Sequence, residues 1–197
     1  MRFIKNLMPQ LTRATNNKSS TSGISRVITV LGAGHETKID VDDLDLKQKY
    51  SLNSCDVHAT TMSSLMVGEF ASRYPSTTFI HTYPGIVKSG ISREAGPIVG
   101  RFVRAVMFLG RPWMVGEQES GERHLYVATS DVFPSSSMAR GQSRVDSVES
   151  TRGAYLVNWD GSEVGNRRLL DEYHTSGVGR QVWDHTEDMF QTVLKRS

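Results

Sequence analysis

Ala59, Met62, Leu65, Met66 and Phe70 recur at steps of three and four, with Ser63, Glu69 and Arg73 off that stripe. The pattern predicts an amphipathic helix from Val57 to Arg73. Tyr74-Pro75 closes it, because proline cannot continue a helix and restricts the residue before it. Thr77 to Thr82 is β-branched and aromatic without strict alternation, as expected of a strand covered on both faces. Tyr83-Pro84-Gly85 then turns the chain toward Val87-Lys88-Ser89. Upstream, Arg26 to Leu31 is a short apolar run stopped by Gly32-Ala33-Gly34. Two strands separated by a helix, each ending in a glycine turn, predict a parallel βαβ crossover. Sheets of that kind bind ligands at the carboxyl ends of their strands.

An earlier stripe of Phe3, Ile4, Leu7, Met8 and Leu11 predicts an opening helix, joined to the first strand by a polar linker from Asn16 to Ser25. Ile98, Phe102, Val103, Val106, Met107 and Leu109 suggest a second amphipathic helix, stopped by Gly110 and Pro112. Gly121 to His124 leads into Leu125-Tyr126-Val127-Ala128-Thr129, expected as a third short strand. Pro134 to Thr151, rich in Ser, Arg and Gly, is expected as a surface loop. A turn at Trp159-Asp160-Gly161 follows the run Ala154 to Val157. Helical patterns then run around Leu169 to Tyr173 and Val182 to Leu194, where Trp183, Met189, Phe190 and Val193 are placed to pack on the sheet. No internal repeat is visible.

Composition narrows the class. The 197 residues are 38% hydrophobic and 22% charged, enough for one domain with a real core. A net charge of +2 carries no nucleic-acid signature, so no nucleic-acid partner is expected. The single Cys55 excludes an internal disulfide framework and fits a reducing compartment; it is expected as a small buried or half-buried thiol rather than a nucleophile. The longest apolar run falls short of the ~20 residues of a spanning helix, and Arg101, Arg104 and Arg111 interrupt the best candidate. No membrane span and a cytoplasmic location are expected. The first 35 residues lack Asp and Glu but carry Arg2, Lys5, Arg13, Lys18 and Arg26, a composition superficially like a transit peptide. Leu7, Met8 and Leu11 lead straight into the first strand's unit, which favours a surface helix and linker instead.

The candidate chemistry is sparse. Gly32-Ala33-Gly34 after a strand invites a dinucleotide-binding reading, but Thr37 occupies the third glycine position and acidic, non-helical Lys38 to Leu46 follows. Asp40, Asp42, Asp43 and Asp45 lack the sharp-turn glycine and closing glutamate of a cation loop. A solvated acidic loop is the better reading. The six histidines have no metal-ligand spacing, and neither a nucleophile elbow nor a zinc-protease helix occurs. His58, at the start of the central helix, and His81, within the buried strand, stand out. For His81 a hydrogen-bonded structural role is expected.

Several segments together resemble the second half of a short-chain dehydrogenase/reductase, of the divergent type common in filamentous fungi that includes reductases of secondary metabolism. They are Arg2-Phe3-Ile4-Lys5-Asn6-Leu7-Met8-Pro9, Arg26 to Val30, His58 to Leu65, and Phe79-Ile80-His81-Thr82-Tyr83-Pro84-Gly85-Ile86-Val87-Lys88-Ser89. Gly121 to Tyr126 and Val182-Trp183 also fit. The resemblance implies an α/β, Rossmann-like three-layer sandwich with a mostly parallel sheet, forming one domain over 1–197. Its core part would be 1–133, with a surface loop at 134–152 and a carboxyl-terminal extension at 153–197. The family's glycine-rich phosphate loop and its amino-terminal strands are missing, so β-strand Val27 to Leu31 is expected to expose an apolar edge.

By the same resemblance, Pro84, Gly85, Val87 and Ser89 would lie against the nicotinamide end of NADP or NAD, with serine in place of the family's threonine. The family's catalytic serine falls near Gly32, which has no hydroxyl, and its Tyr-x-x-x-Lys is absent: Ser54 stands four residues after Tyr50, and Asp56 is near the lysine position. A lone tyrosine, with a pKa of about 10, is a poor acid/base at neutral pH. Tyr50 with His58 is the candidate substitute catalytic pair. The resemblance further implies a homodimer through helices 1–14 and 57–73. Phe102, Val106, Phe108 and Trp113 favour a small hydrophobic carbonyl or alcohol substrate. Three readings stay open: an NAD(P)-dependent oxidoreductase in shortened form, a non-catalytic remnant acting by dimerisation, and a cofactor-independent isomerase using Tyr50 and His58.

Overall fold

The computed structural model describes residues 1–16, 24–87, 114–141 and 153–195. Its elements are α1 (Arg2–Asn16), β1 (Arg26–Val30), α2 (Leu52–Arg73), β2 (Thr78–Thr82), α3 (Glu117–Thr129), α4 (Ser136–Gly141), β3 (Ala154–Val157), α5 (Arg167–Thr175) and α6 (Val178–Lys195). The strands form one sheet in the order β1-β2-β3. Both pairings are parallel, with Ile28 opposite Ile80 and His81 opposite Leu156. The βαβ crossover read from the sequence is therefore present, and all five residues of β2 are buried.

Side-chain alternation divides the strands between two helical layers. Val27, Phe79 and Ala154 face one side, where Phe79 and Ala154 join Met8, Val67, Phe70, Ala71 and Trp183 in a core. The Phe70 ring stacks on Phe79 at 5.2 Å and meets Trp183 edge-on at 4.9 Å. A neighbouring cluster joins α2 to α5 and α6 through Leu65, Leu169, Tyr173 and Val182. Ile28, Ile80, Tyr155 and Val157 face the other way, onto Val127 and Phe133. Helices thus cover both faces of a parallel sheet, in a Rossmann-like arrangement.

Helix α2 begins five residues before the predicted start. Ser51 caps it, its hydroxyl accepting from the Ser54 N–H at 3.0 Å. The buried face is broader and more polar than the apolar stripe suggested, taking in His58, Thr60, Thr61 and Ser64, while Ala59 is exposed and Cys55, expected buried or half-buried, is exposed as well.

Leu125 to Thr129 is a correction: these residues end helix α3 and form no strand. Glu117 and Glu119 sit in its first turn, where carboxylates complement the helix dipole. Only Val127 is buried, and Leu125 and Tyr126 are exposed. Past the other end, Arg26 of β1 donates to the carbonyls of Val127, Ser130 and Phe133 at 2.7, 2.9 and 2.8 Å. Those bonds supply donors to the Val127 and Ser130 carbonyls at the helix end, and join the Thr78 hydroxyl on the Phe133 carbonyl. The β-branched run is local, and this tertiary anchoring decides its conformation. The third strand is Ala154–Val157.

Within 134–152, residues 136–141 form α4; 142–152 lie outside the described residues, as do the helix predicted over Ile98 to Leu109, the linker 17–23, Lys88 and Ser89. On α6, Trp183 packs into the core as expected, whereas Met189 and Val193 are exposed. Among the described residues no helix is long and apolar enough to cross a membrane.

Candidate functional site

At the carboxyl edge of the sheet the ladder continues one residue past the strands. The Leu31 N–H donates to the Thr82 carbonyl at 2.8 Å, and the Tyr83 N–H to the Val157 carbonyl at 2.9 Å. The loops then separate. Gly85 takes φ +74°, and a Cβ there would stand 3.0 Å from Val115 Cγ2 and 3.1 Å from Trp159 Cβ. Both the left-handed backbone and the close packing require glycine. The Val115 N–H donates to the Ile86 carbonyl at 2.9 Å, tying the turn to the segment before α3. Arg123 places its guanidinium 4.3 Å from the Trp159 ring centre and donates to the Trp159 carbonyl at 3.0 Å. Leu31 and Ile86 remain 41% and 58% exposed, so the edge offers apolar surface around a rigid turn. Beside it the rings of His35 and Tyr83 meet edge-on, 4.6 Å apart at 72°.

Beneath the edge runs a buried polar chain. The Gly32 N–H donates to His81 Nε2 at 3.2 Å, so that nitrogen is the acceptor and the proton sits on Nδ1. His81 Nδ1 lies 2.8 Å from Ser64 Oγ, and the Ser64 hydroxyl donates to Glu36 Oε1 at 2.7 Å. Glu36 also accepts from the Gly34 and Asn166 N–H groups, at 3.0 and 3.1 Å. Burial pushes the His81 pKa down to about 4, outweighing the opposing pull of Glu36, and keeps the ring neutral. The order of donors is wrong for a serine nucleophile: Ser64 gives its proton to the carboxylate and receives one from the histidine. The chain instead fixes the loop after β1 against α2, β2 and the start of α5. His81 has the structural role expected of it.

This geometry bears on phosphate binding at Gly32-Ala33-Gly34. The Gly32 and Gly34 amides are already bonded to His81 and Glu36, and a buried carboxylate lies beside them. A Cβ on Gly32 would stand 2.7 Å from Thr60 Oγ1, so this glycine serves packing against α2. The run does not fit a diphosphate. The acidic loop is likewise committed internally. Asp43 accepts from the N–H groups of Lys47, Gln48 and Lys49 at 2.8, 2.9 and 3.0 Å, Asp40 pairs with Lys49 at 2.7 Å, and Asp45 meets His185 at 2.8 Å.

Of the residues singled out from the sequence, Pro84, Gly85 and Val87 line the turn at the carboxyl end of β2, and Ser89 lies outside the described residues. His58 is buried on α2, where its Nε2 accepts from the Asp40 N–H at 3.1 Å and its Nδ1 has no hydrogen-bond partner among the described residues. Tyr50 stands 66% exposed just before α2, in an environment unlike that of His58. His35, Glu36, Ser64 and the Tyr83 ring are not singled out by any sequence pattern. Polar residues on the buried face of a predicted helix, Ser64 above all, are the nearest signal. A cavity of about 970 Å³ lies elsewhere, between residues 64–72 of α2, β3 and α5. Its Glu163 and Arg167 pair with each other at 2.9 Å, and it holds none of the turn residues.

Fold and edge together define a parallel, helix-covered sheet with loops gathered at the carboxyl ends of β1, β2 and β3. No protein-family model matches the chain. It is 35% identical over 207 residues to an oxidoreductase of Emericella nidulans, an alignment covering 100% of this chain and 60% of that protein. It is 34% identical over 206 residues to an oxidoreductase of Emericella variicolor, covering 98% of this chain and 58% of the relative. An NmrA-like family domain-containing oxidoreductase of an Aspergillus species is 30% identical over 202 residues, with 99% and 55% covered. The chain is thus similar to fungal oxidoreductases along nearly all its length, and spans about 55–60% of the length of these curated relatives.

Proposed function

We propose that this chain belongs to an NAD(P)-dependent oxidoreductase of the short-chain dehydrogenase/reductase type, acting on a small hydrophobic carbonyl or alcohol in fungal secondary metabolism. One observation carries the reading: a glycine turn pinned between Val115 and Trp159 at the carboxyl end of the central parallel strand, beside exposed Leu31 and Ile86. It stands on a chain similar to oxidoreductases from end to end. An apolar, rigid edge suits a flat nicotinamide ring, which when bound exchanges hydride with a carbonyl carbon. Pro84, Gly85 and Val87 would hold that ring, with Ser89 following in sequence. Gly32 to Gly34 takes no part in holding the diphosphate.

The test is a titration with NADPH and with NADH, following nicotinamide fluorescence and the thermal midpoint together. Saturable binding at micromolar affinity supports the reading. Ligand at about a hundred times Kd stabilises by about 2.7 kcal/mol, raising the midpoint of a chain this size by roughly 5–11 °C. An unmoved midpoint and unchanged fluorescence in protein that unfolds cooperatively overturn it for this chain.

A second reading, a domain that acts by pairing with another copy or a fuller relative, is favoured by the outward side of α1. There Phe3 is 76% exposed, and Leu7 one turn later is also exposed. A monomer by sedimentation at high concentration, with no cross-linking to such a relative, removes it.

A further inference from the structure

We propose that His35 and Tyr83 form the oxygen-binding end of this site, donating hydrogen bonds to the carbonyl or hydroxyl oxygen of a small apolar ligand whose carbon body lies on Leu31 and Ile86. The inference deepens the oxidoreductase reading of this edge and rests on it. The parallel register places Leu31 beside Tyr83, one step past the Val30–Thr82 pair, so the two project to the same face. That is the face of His81, directly above the buried polar chain. Tyr83 is half-buried and His35 exposed. Neither the Tyr83 hydroxyl nor a His35 ring nitrogen takes part in a hydrogen bond or ion pair among the described residues. The edge-on contact at 4.6 Å holds the two rings against each other before a ligand arrives, which lowers the ordering cost of binding. Two free hydrogen-bonding groups next to apolar surface are what distinguishes a ketone or alcohol from a plain hydrocarbon.

The experiment uses acetophenone as the probe, with ethylbenzene as its oxygen-free counterpart, and reads the His35 and Tyr83 ring resonances by NMR. Acetophenone is expected to shift both saturably and ethylbenzene to leave them in place. Tyr83→Phe and His35→Phe, which keep the ring contact and remove the donor, should each weaken acetophenone binding about three- to tenfold, the loss of one neutral hydrogen bond. Resonances that stay still up to the solubility limit, or that move equally with ethylbenzene, overturn the proposal. If they do so in protein that binds NADPH, the nicotinamide reading stands and only the oxygen-binding role falls. A response to acetophenone in protein that ignores both nicotinamides upholds the pair and removes the cofactor reading.

Discussion

The buried His81 makes stability depend on pH in a defined window. In the fold its pKa is pushed to about 4, against 6.5 for an unperturbed imidazole. Above pH 6.5 the ring is neutral in both states and contributes no dependence. As pH falls below 6.5 the unfolded chain takes up a proton that the fold refuses, and unfolding becomes easier by about 1.4 kcal/mol per pH unit. The loss levels off below about pH 4, where the folded ring also protonates, at a total of about 3 kcal/mol. Protonation there would force Nε2, the acceptor of the Gly32 amide, to become a donor. Urea unfolding of wild type and His81→Gln from about pH 7.5 to about 4.5 isolates the contribution, since other groups titrate alike in both proteins. The variant loses a constant amount, and the wild type should converge on it as pH falls. Parallel curves, or a His81 resonance titrating near 6.5 in the folded protein, would refute the reasoning. So would a nitrogen spectrum showing the proton on Nε2.

Gly85→Ala forces an L side chain into φ +74° and against Val115 and Trp159. It should cost about 1–3 kcal/mol by urea midpoint and weaken NADPH binding in parallel; an unchanged midpoint would contradict the turn geometry. Arg26→Met keeps the aliphatic stem but removes the donor from the Val127 and Ser130 carbonyls and leaves Phe133 with the Thr78 hydroxyl alone. A loss of about 3 kcal/mol is expected, with amide exchange accelerated first in the last turn of α3.

The β1–α2–β2 unit was legible because its signals are local and agree: a stripe at helical spacing, a proline stop, and a β-branched run between glycine turns. Leu125 to Thr129 misled because the same residue types favour strands, while the groups that settle the matter, Arg26 and the carbonyls it binds, are about a hundred positions apart. The start of α2 was missed although Ser51 carries a capping side chain, since the apolar stripe begins later. At the site, the Pro84-Gly85 turn was visible in sequence. The Gly32–His81–Ser64–Glu36 chain was not, because four isolated polar residues become one network only when sheet and helix are assembled. Tyr50 is exposed and His58 enclosed, a difference in environment that the sequence does not display.

Residues 39–49 belong to no helix or strand, yet they are stitched into three helices. The Asp40 amide bonds to His58 of α2, the Ile39 amide to the Tyr173 hydroxyl of α5 at 3.0 Å, and the Val41 carbonyl to Gln181 of α6 at 2.9 Å. Leu46 is held at φ +52° while Asp43 gathers the three amides that follow it. Such a loop cannot swing on a fast timescale, since to open it must give up anchors on several helices at once. The crossover that leaves the carboxyl edge is therefore a wall held in place from three sides, its surface shaped in advance of any ligand.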